Sequence, residues 1–111
     1  MTGYPPVRAA DIRSHPLTTS KIIALVAEHF KLDPKELRKR TDRAIPRHAR
    51  QVAMYLTKEQ TDRSVRDINE SFNTRKDSIV LDAITQIAAQ RKHDAELDAL
   101  LNTITDKLLA P

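Results

Sequence analysis

Residues 64–87, SVRDINESFNTRKDSIVLDAITQI, decide the fold. Ser64-x-x-Asp67 is a helix start: a hydroxyl caps the first free N–H groups, and a nearby carboxylate favours the positive end of the helix. Val65, Ile68 and Phe72 follow at i, i+3 and i+7, one stripe of an amphipathic helix. Asn73-Thr74 breaks the pattern. Thr74-x-x-Asp77 reads as a second cap, after which Val80, Ala83, Ile84 and Ile87 form another apolar stripe. Two helices this close together, the first only about two turns long, predict a helix-turn-helix over about 64–90. In that motif the second helix, here starting near Arg75, is the one that enters a DNA major groove. An ordinary pair of packed helices would leave the same stripes, so the charge around the motif has to discriminate.

Upstream, Arg38–Arg50, RKRTDRAIPRHAR, holds six Arg/Lys and one acid, Asp42. Like charges this dense repel one another unless something anionic neutralises them. Most such runs are solvated surface loops. This one lies between two helices rather than on a tail, so its charge is held near one place. Pro46 suits the first turn of the next helix. That helix runs to about Gln60, with Ala49, Val52, Ala53 and Leu56 as its core stripe and Met54 and Tyr55 at the margins. Arg47, Arg50 and Gln51 stand near its N-terminus, where backbone N–H groups also favour phosphate.

The outer segments complete a helical domain. Residues 1–17 contain Pro5, Pro6 and Pro16 without sustained periodicity and read as an extended leader or linker, so the domain proper is 18–111. Thr18 or Thr19 caps a helix to about Lys31, with Ile22, Ile23, Val26, Ala27 and Phe30 on its buried face. Asp33-Pro34-Lys35-Glu36 starts a short helix anchored by Leu37. Arg91-Lys92-His93 brings positive charge to the end of the long motif helix. Asp94 then caps a last helix whose Leu97, Leu100, Leu101, Ile104 and Leu108 form one stripe. A domain this small needs that area for its own core, so the stripe is expected to pack inward and the chain to be a monomer, with a dimer seam as the alternative.

Composition narrows the function. Net charge is +4, but residues 94–111 set four acids against Lys107, so the remainder carries +7, which suits a polyanion partner. Gly3 is the only glycine, which excludes a Gly-rich phosphate loop. There is no cysteine, so no disulfide or cysteine metal site arises. Two Phe, two Tyr and no Trp argue against stacked platforms for single-stranded nucleic acid. No apolar run approaches the ~20 residues of a membrane span, and no secretory signal is visible, so a cytoplasmic, nucleoid-associated location without membrane contact is expected. His15, His29, His48 and His93 are far apart with no H-x-x-x-H pair. His29 reads as helix surface, and His48 as a helper of phosphate contact when protonated. No catalytic group, cofactor or metal is expected.

The run RQVAMYL (Arg50–Leu56), followed by Ser64-x-x-x-Ile68 and Phe72-x-x-Arg75, resembles the C-terminal DNA-binding domain (domain IV) of the bacterial replication initiator DnaA. The likeness extends from about Ile22 to Leu108. It takes in AEHF (27–30), DPKEL (33–37), the basic loop and a closing D-x-E-L helix from Asp94. The resemblance implies an all-α fold with a helix-turn-helix, of the DnaA domain IV and Trp-repressor-like kind, and double-stranded DNA as partner. It implies that Arg50 and Gln51 hold the DNA backbone and that Ser64, Val65 and Arg66 touch phosphate. It also implies an arginine of the basic loop in the minor groove; alignment within the loop is ambiguous, so Arg40 and Arg43 are both candidates. The family's recognition helix begins Gly-Gly-Arg-Asp-His-Thr-Thr-Val, where this chain has Asn73, Thr74, Arg75, Lys76, Asp77, Ser78, Ile79 and Val80. Only Arg75 and Val80 match, and the base-reading Asp-His-Thr trio has become Lys76-Asp77-Ser78. Lys76 can donate to guanine O6/N7; Asp77 can accept from cytosine N4 or merely cap the helix. The preferred sequence is therefore expected to differ from the usual DnaA box. Asn69 stands where the family has a glycine, and both turn glycines are gone. The turn is still expected, because Asn tolerates left-handed backbone angles.

These readings converge on a double-stranded DNA-binding protein, sequence-specific through a recognition helix plus a basic loop. It would act in replication initiation or its control, or in transcription regulation. The mismatch at the base-reading positions favours a free-standing relative over the end of a full initiator. The rival from another class is a protein-interaction module that kept the fold, with a protein partner or an initiator homologue bound instead. Asp77 and Asp82 support that rival, because carboxylates facing phosphate are costly, while Arg50-Gln51 and Arg66 oppose it. The DNA reading requires the arginines between positions 38 and 75 to converge in space.

Overall fold

The computed structural model describes residues 18–110, so the leader expected over 1–17 lies outside the described residues. The elements are α1 (Thr18–Phe30), a 3₁₀ turn (Pro34–Arg38), α2 (Ala44–Gln60), α3 (Val65–Ser71), α4 (Asp77–Arg91) and α5 (Ala95–Leu109). The described residues hold no strand, and the all-α helix-turn-helix expected from the sequence is the fold observed.

The two halves of the motif are shaped by their ends. Ser64 opens α3 with a capping box: its hydroxyl accepts from the Asp67 N–H at 3.1 Å, and the Asp67 carboxylate accepts from the Ser64 N–H at 3.3 Å. At the other end Asn73 takes φ 55°, Thr74 N donates to Asn69 O at 3.1 Å, and Asn73 N donates to Glu70 O at 3.3 Å. This is a Schellman closure, made with Asn where glycine is usual. It corrects one expectation. Thr74 does not cap α4; it completes α3, and its hydroxyl turns back to Asn69. Lys76 occupies the N-cap of α4 without a side-chain cap, and Asp77 is the first helical residue. Asp33 and Glu36 form a second capping box at the 3₁₀ turn, and Asp94 caps α5 by accepting from Leu97 N at 3.0 Å.

α2 is the hub, packing against every other helix and the 3₁₀ turn. Its expected stripe of Ala49, Val52, Ala53 and Leu56 is buried, but so are Met54 and Tyr55, which the periodicity had placed at the margins. A helix surrounded on most of its circumference is apolar nearly all round, so an amphipathic stripe underestimates its buried face. Val65 packs half-buried beside fully buried Ile68 and Phe72. From α4, Val80, Ala83 and Ile87 enter the same core, with Ile84 half-buried. Leu97, Leu101, Ile104 and Leu108 of α5 are buried within the chain itself. Each fully buried large aliphatic or aromatic side chain contributes roughly 1.5–3 kcal/mol.

Arg91 fastens α5 to this assembly. Its Nε donates to Asp98 at 2.8 Å, one terminal nitrogen donates to the Tyr55 hydroxyl at 2.8 Å, and the other reaches Asn102 at 3.2 Å. Burial pushes the Tyr55 phenol up, and the bond to Tyr55 raises Arg91. α5 does not cover the outward residues of α4: Ser78, Ile79, Asp82 and Gln86 are exposed.

Candidate nucleic-acid interface

Because α2 and α4 pack side by side, their exposed edges face each other across an open groove of about 800 Å³. The loop after the 3₁₀ turn contributes Arg40, and the first turns of α2 contribute Arg47, Arg50 and Gln51. The opposite wall carries Arg75 and Lys76 from the turn, then Ile79, Asp82 and Gln86 along one face of α4. The three α4 residues recur at i, i+3 and i+7, as a single helical face requires. Gln51 Nε2 bridges the walls to Gln86 Oε1 at 3.5 Å. Five cationic residues thus meet two carboxylates, Asp42 and Asp82, along the same groove. Among the described residues, Arg40, Arg47, Arg75 and Lys76 make no side-chain hydrogen bond or ion pair within the chain. Their charge is left for something outside it.

Arg50 is used differently. Only 8% exposed, its guanidinium donates to the Phe72 carbonyl, while Nε has no partner. Burial pushes its pKa down, and no ion pair offsets the lost solvation. Arg38 does parallel work at the neighbouring carbonyl: Nη1 donates to Ser71 O at 2.5 Å and Nη2 to Ser20 Oγ at 3.2 Å. Asn73 Nδ2 returns a bond to Arg38 O at 3.1 Å. Two arginines therefore satisfy the free carbonyls at the negative end of α3 and hold the turn that carries the groove's second wall. Sequence reading assigned this basic run to solvent and partner, and missed the structural share. A local signal was lacking, since the acceptors lie 22 and 33 residues away.

Six of the residues singled out from the sequence lie off the groove. Arg43 is the exposed N-cap of α2, Ser64 is spent as the N-cap of α3, and Val65 is half-buried. Ser78 is exposed on the first turn of α4. Arg66 and Asp77 face each other at 3.6 Å, and Asp77 also accepts from Asn69 Nδ2 at 2.7 Å. Gln86 was not anticipated; its i+7 spacing from Ile79 is the signal that identifies it.

His48 contradicts its expected role. Its ring packs edge-on against Phe30 at 5.7 Å, in a separate hollow with Asp94 and Glu96 rather than in the basic groove. Burial holds its pKa below the ordinary 6.5, with Asp94 working against that shift. The folded state thus favours the neutral ring. This contribution to stability is present above pH 6.5 and is lost as pH falls through the depressed folded value. Urea midpoints should fall more steeply below pH 6.5 than those of His48→Asn; parallel pH profiles would contradict the assignment.

A family model described as bacterial dnaA protein helix-turn-helix matches residues 19–87, which span α1 to the middle of α4 and hold both walls of the groove. The chain belongs to the bacterial DnaA helix-turn-helix family. It is similar to the chromosomal replication initiator protein DnaA of Sphingopyxis alaskensis, 41% identical over 93 residues, covering 83% of this chain and 20% of that relative. Against DnaA of Caulobacter vibrioides it is 37% identical over 105 residues, or 94% of this chain and 21% of the relative. DnaA of Leptothrix cholodnii is 30% identical over 97 residues, 87% of this chain and 19% of the relative. The chain spans about a fifth of the length of the curated DnaA relatives it matches. Among the described residues, no group of His, Cys, Asp or Glu could hold a metal ion, and no helix is long and apolar enough to cross a membrane.

Proposed function

We propose that this DnaA-family domain binds double-stranded DNA in a sequence-selective way and acts in replication initiation, in its control, or in transcription regulation. One observation carries the reading. The cations of the basic loop, of the start of α2 and of the motif turn line a single groove beside the exposed face of α4, four of them without internal partners. In this reading α4 enters the major groove, with Lys76, Ser78 and Ile79 at base edges. Arg47, Arg50, Gln51 and Arg75 hold phosphates, and Arg40 or Arg43 reaches the adjacent minor groove. The start of α3, Ser64 to Arg66, lies against the backbone. A monomer suffices for one site, since the apolar stripe of α5 is already covered.

Fluorescence anisotropy on a panel of duplexes tests this. Arg50→Ala is expected to weaken binding to all sequences alike, by roughly tenfold, and Lys76→Ala to change the order of preference among them. Because Arg50 also closes on the Phe72 carbonyl, its melting temperature is measured alongside, so that unfolding is not mistaken for lost contact. Absence of duplex binding at low salt would end the proposal. The rival protein-interaction reading has lost part of its support: Asp77 is engaged by Arg66 and Asn69, which leaves Asp82 as the exposed carboxylate of α4 in the groove.

A further inference from the structure

The start of α4 carries a small polar network that the proposed DNA reading does not by itself require. Asn69, on the middle of α3, stands where its family resemblance calls for glycine. Its amide uses both ends: Nδ2 donates to Asp77 Oδ1 at 2.7 Å, and Oδ1 accepts from the Thr74 hydroxyl. The second Asp77 oxygen faces Arg66 Nη2 at 3.6 Å. One oxygen of the carboxylate at 77 thus accepts a hydrogen bond from its own chain, and the other faces a guanidinium at ion-pair distance. The four residues come from α3, the turn and the first residue of α4, so the network spans the motif at the point where α4 would meet DNA.

We propose that Asn69 determines specificity through Asp77: it holds the carboxylate back against α3 and so withdraws it from the base edges. The proposal rests on the DNA-binding reading and concerns how that same surface selects a sequence. A free aspartate at the first turn of a recognition helix would either accept from a cytosine N4 or repel the backbone. Tied to Asn69 and Arg66 it does neither, and the neighbouring Lys76, Ser78 and Ile79 are left to read. Asn69 acts here as a positioning residue. Its side chain reaches no base; it chooses the orientation of one that can. The amide at 69 donates and the carboxylate at 77 accepts, so replacing either alone removes that bond, leaving Asp77 with Arg66 only or Asn69 with Thr74 only.

Asn69→Ala isolates this effect without threatening the fold. The closure of α3 uses the Asn69 backbone carbonyl, which the variant retains, and Ala is the better helix former. Wild type, Asn69→Ala, Asp77→Ala and the double variant are compared on duplexes in which each base pair of the preferred site is varied singly. Asn69→Ala is expected to gain on the order of tenfold preference for a pair placing cytosine under the start of α4. That gain should vanish in the double variant. Melting temperature is recorded for each protein, since a purely structural role would lower affinity for every duplex in step with stability. An Asn69→Ala profile that keeps the wild-type base preferences, or shifts equally with and without Asp77, overturns the proposal while leaving DNA binding intact. Failure of the wild type to bind any duplex overturns the DNA reading and this inference with it.

Discussion

Raising salt from 50 to 200 mM is expected to weaken duplex binding by roughly a thousandfold. The groove offers Arg40, Arg47, Arg50, Arg75 and Lys76, and the start of α3 adds backbone N–H groups and Arg66. Contact with ~6 phosphates gives a log–log slope near −5, because each neutralised phosphate releases a condensed counterion. The structure separates these cations by how they are held. Arg50 is buried on a carbonyl and Arg66 is opposite Asp77, while the other four are unpartnered. Removing Arg47 or Arg75, the two of these assigned to phosphate, should flatten the slope by about one unit, whichever sequence is bound. A slope near zero with undiminished affinity would mean that the groove is not a phosphate-binding surface.

Phe72→Ala is expected to cost about 3–5 kcal/mol of stability, a large part of the roughly 5–15 kcal/mol that a domain of this kind has. Phe72 is fully buried and is the largest such side chain in the described residues. It stands at the C-cap of α3, and its carbonyl receives Arg50. Its removal leaves a cavity under the turn and loosens the anchor of a buried guanidinium in the same place. The urea midpoint should drop accordingly, and duplex affinity should fall with the folded fraction. Ile79→Ala is the contrast: at 41% exposed, it should change stability by less than about 0.5 kcal/mol and affect DNA binding instead. A Phe72 variant as stable as wild type would show that the turn is held without this core.

Much of the fold was legible because its signals are local. The Ser64–Asp67 and Asp33–Glu36 boxes, Asp94 as a cap, and the left-handed turn at Asn73 each depend on residues within one turn of one another. The stripes of α3, α4 and α5 could be read because each helix buries one face. Periodicity failed at α2, where Met54 and Tyr55 are buried, because a stripe gives the direction of the nearest partner but not how many partners surround the helix. Thr74 was misassigned for a related reason. As the residue after a left-handed Asn73 its N–H and hydroxyl serve α3, whereas a start signal for α4 uses the same residue type.

The sequence by itself determined the helical register, the place of the turn, the family, and the concentration of positive charge between Arg38 and Lys76. Only the tertiary structure decided how that charge is divided. Arg38 and Arg50 donate to carbonyls of α3, Arg66 faces Asp77 across 3.6 Å, and Arg40, Arg47, Arg75 and Lys76, along one groove, have no side-chain partner among the described residues. The physical reason is that a guanidinium satisfies its donors on whichever acceptors the packed chain brings within about 3 Å, and those acceptors lie on other helices. Local sequence records the donors; the packing of α2 and the 3₁₀ turn against the end of α3, and of α3 against α4, selects their acceptors.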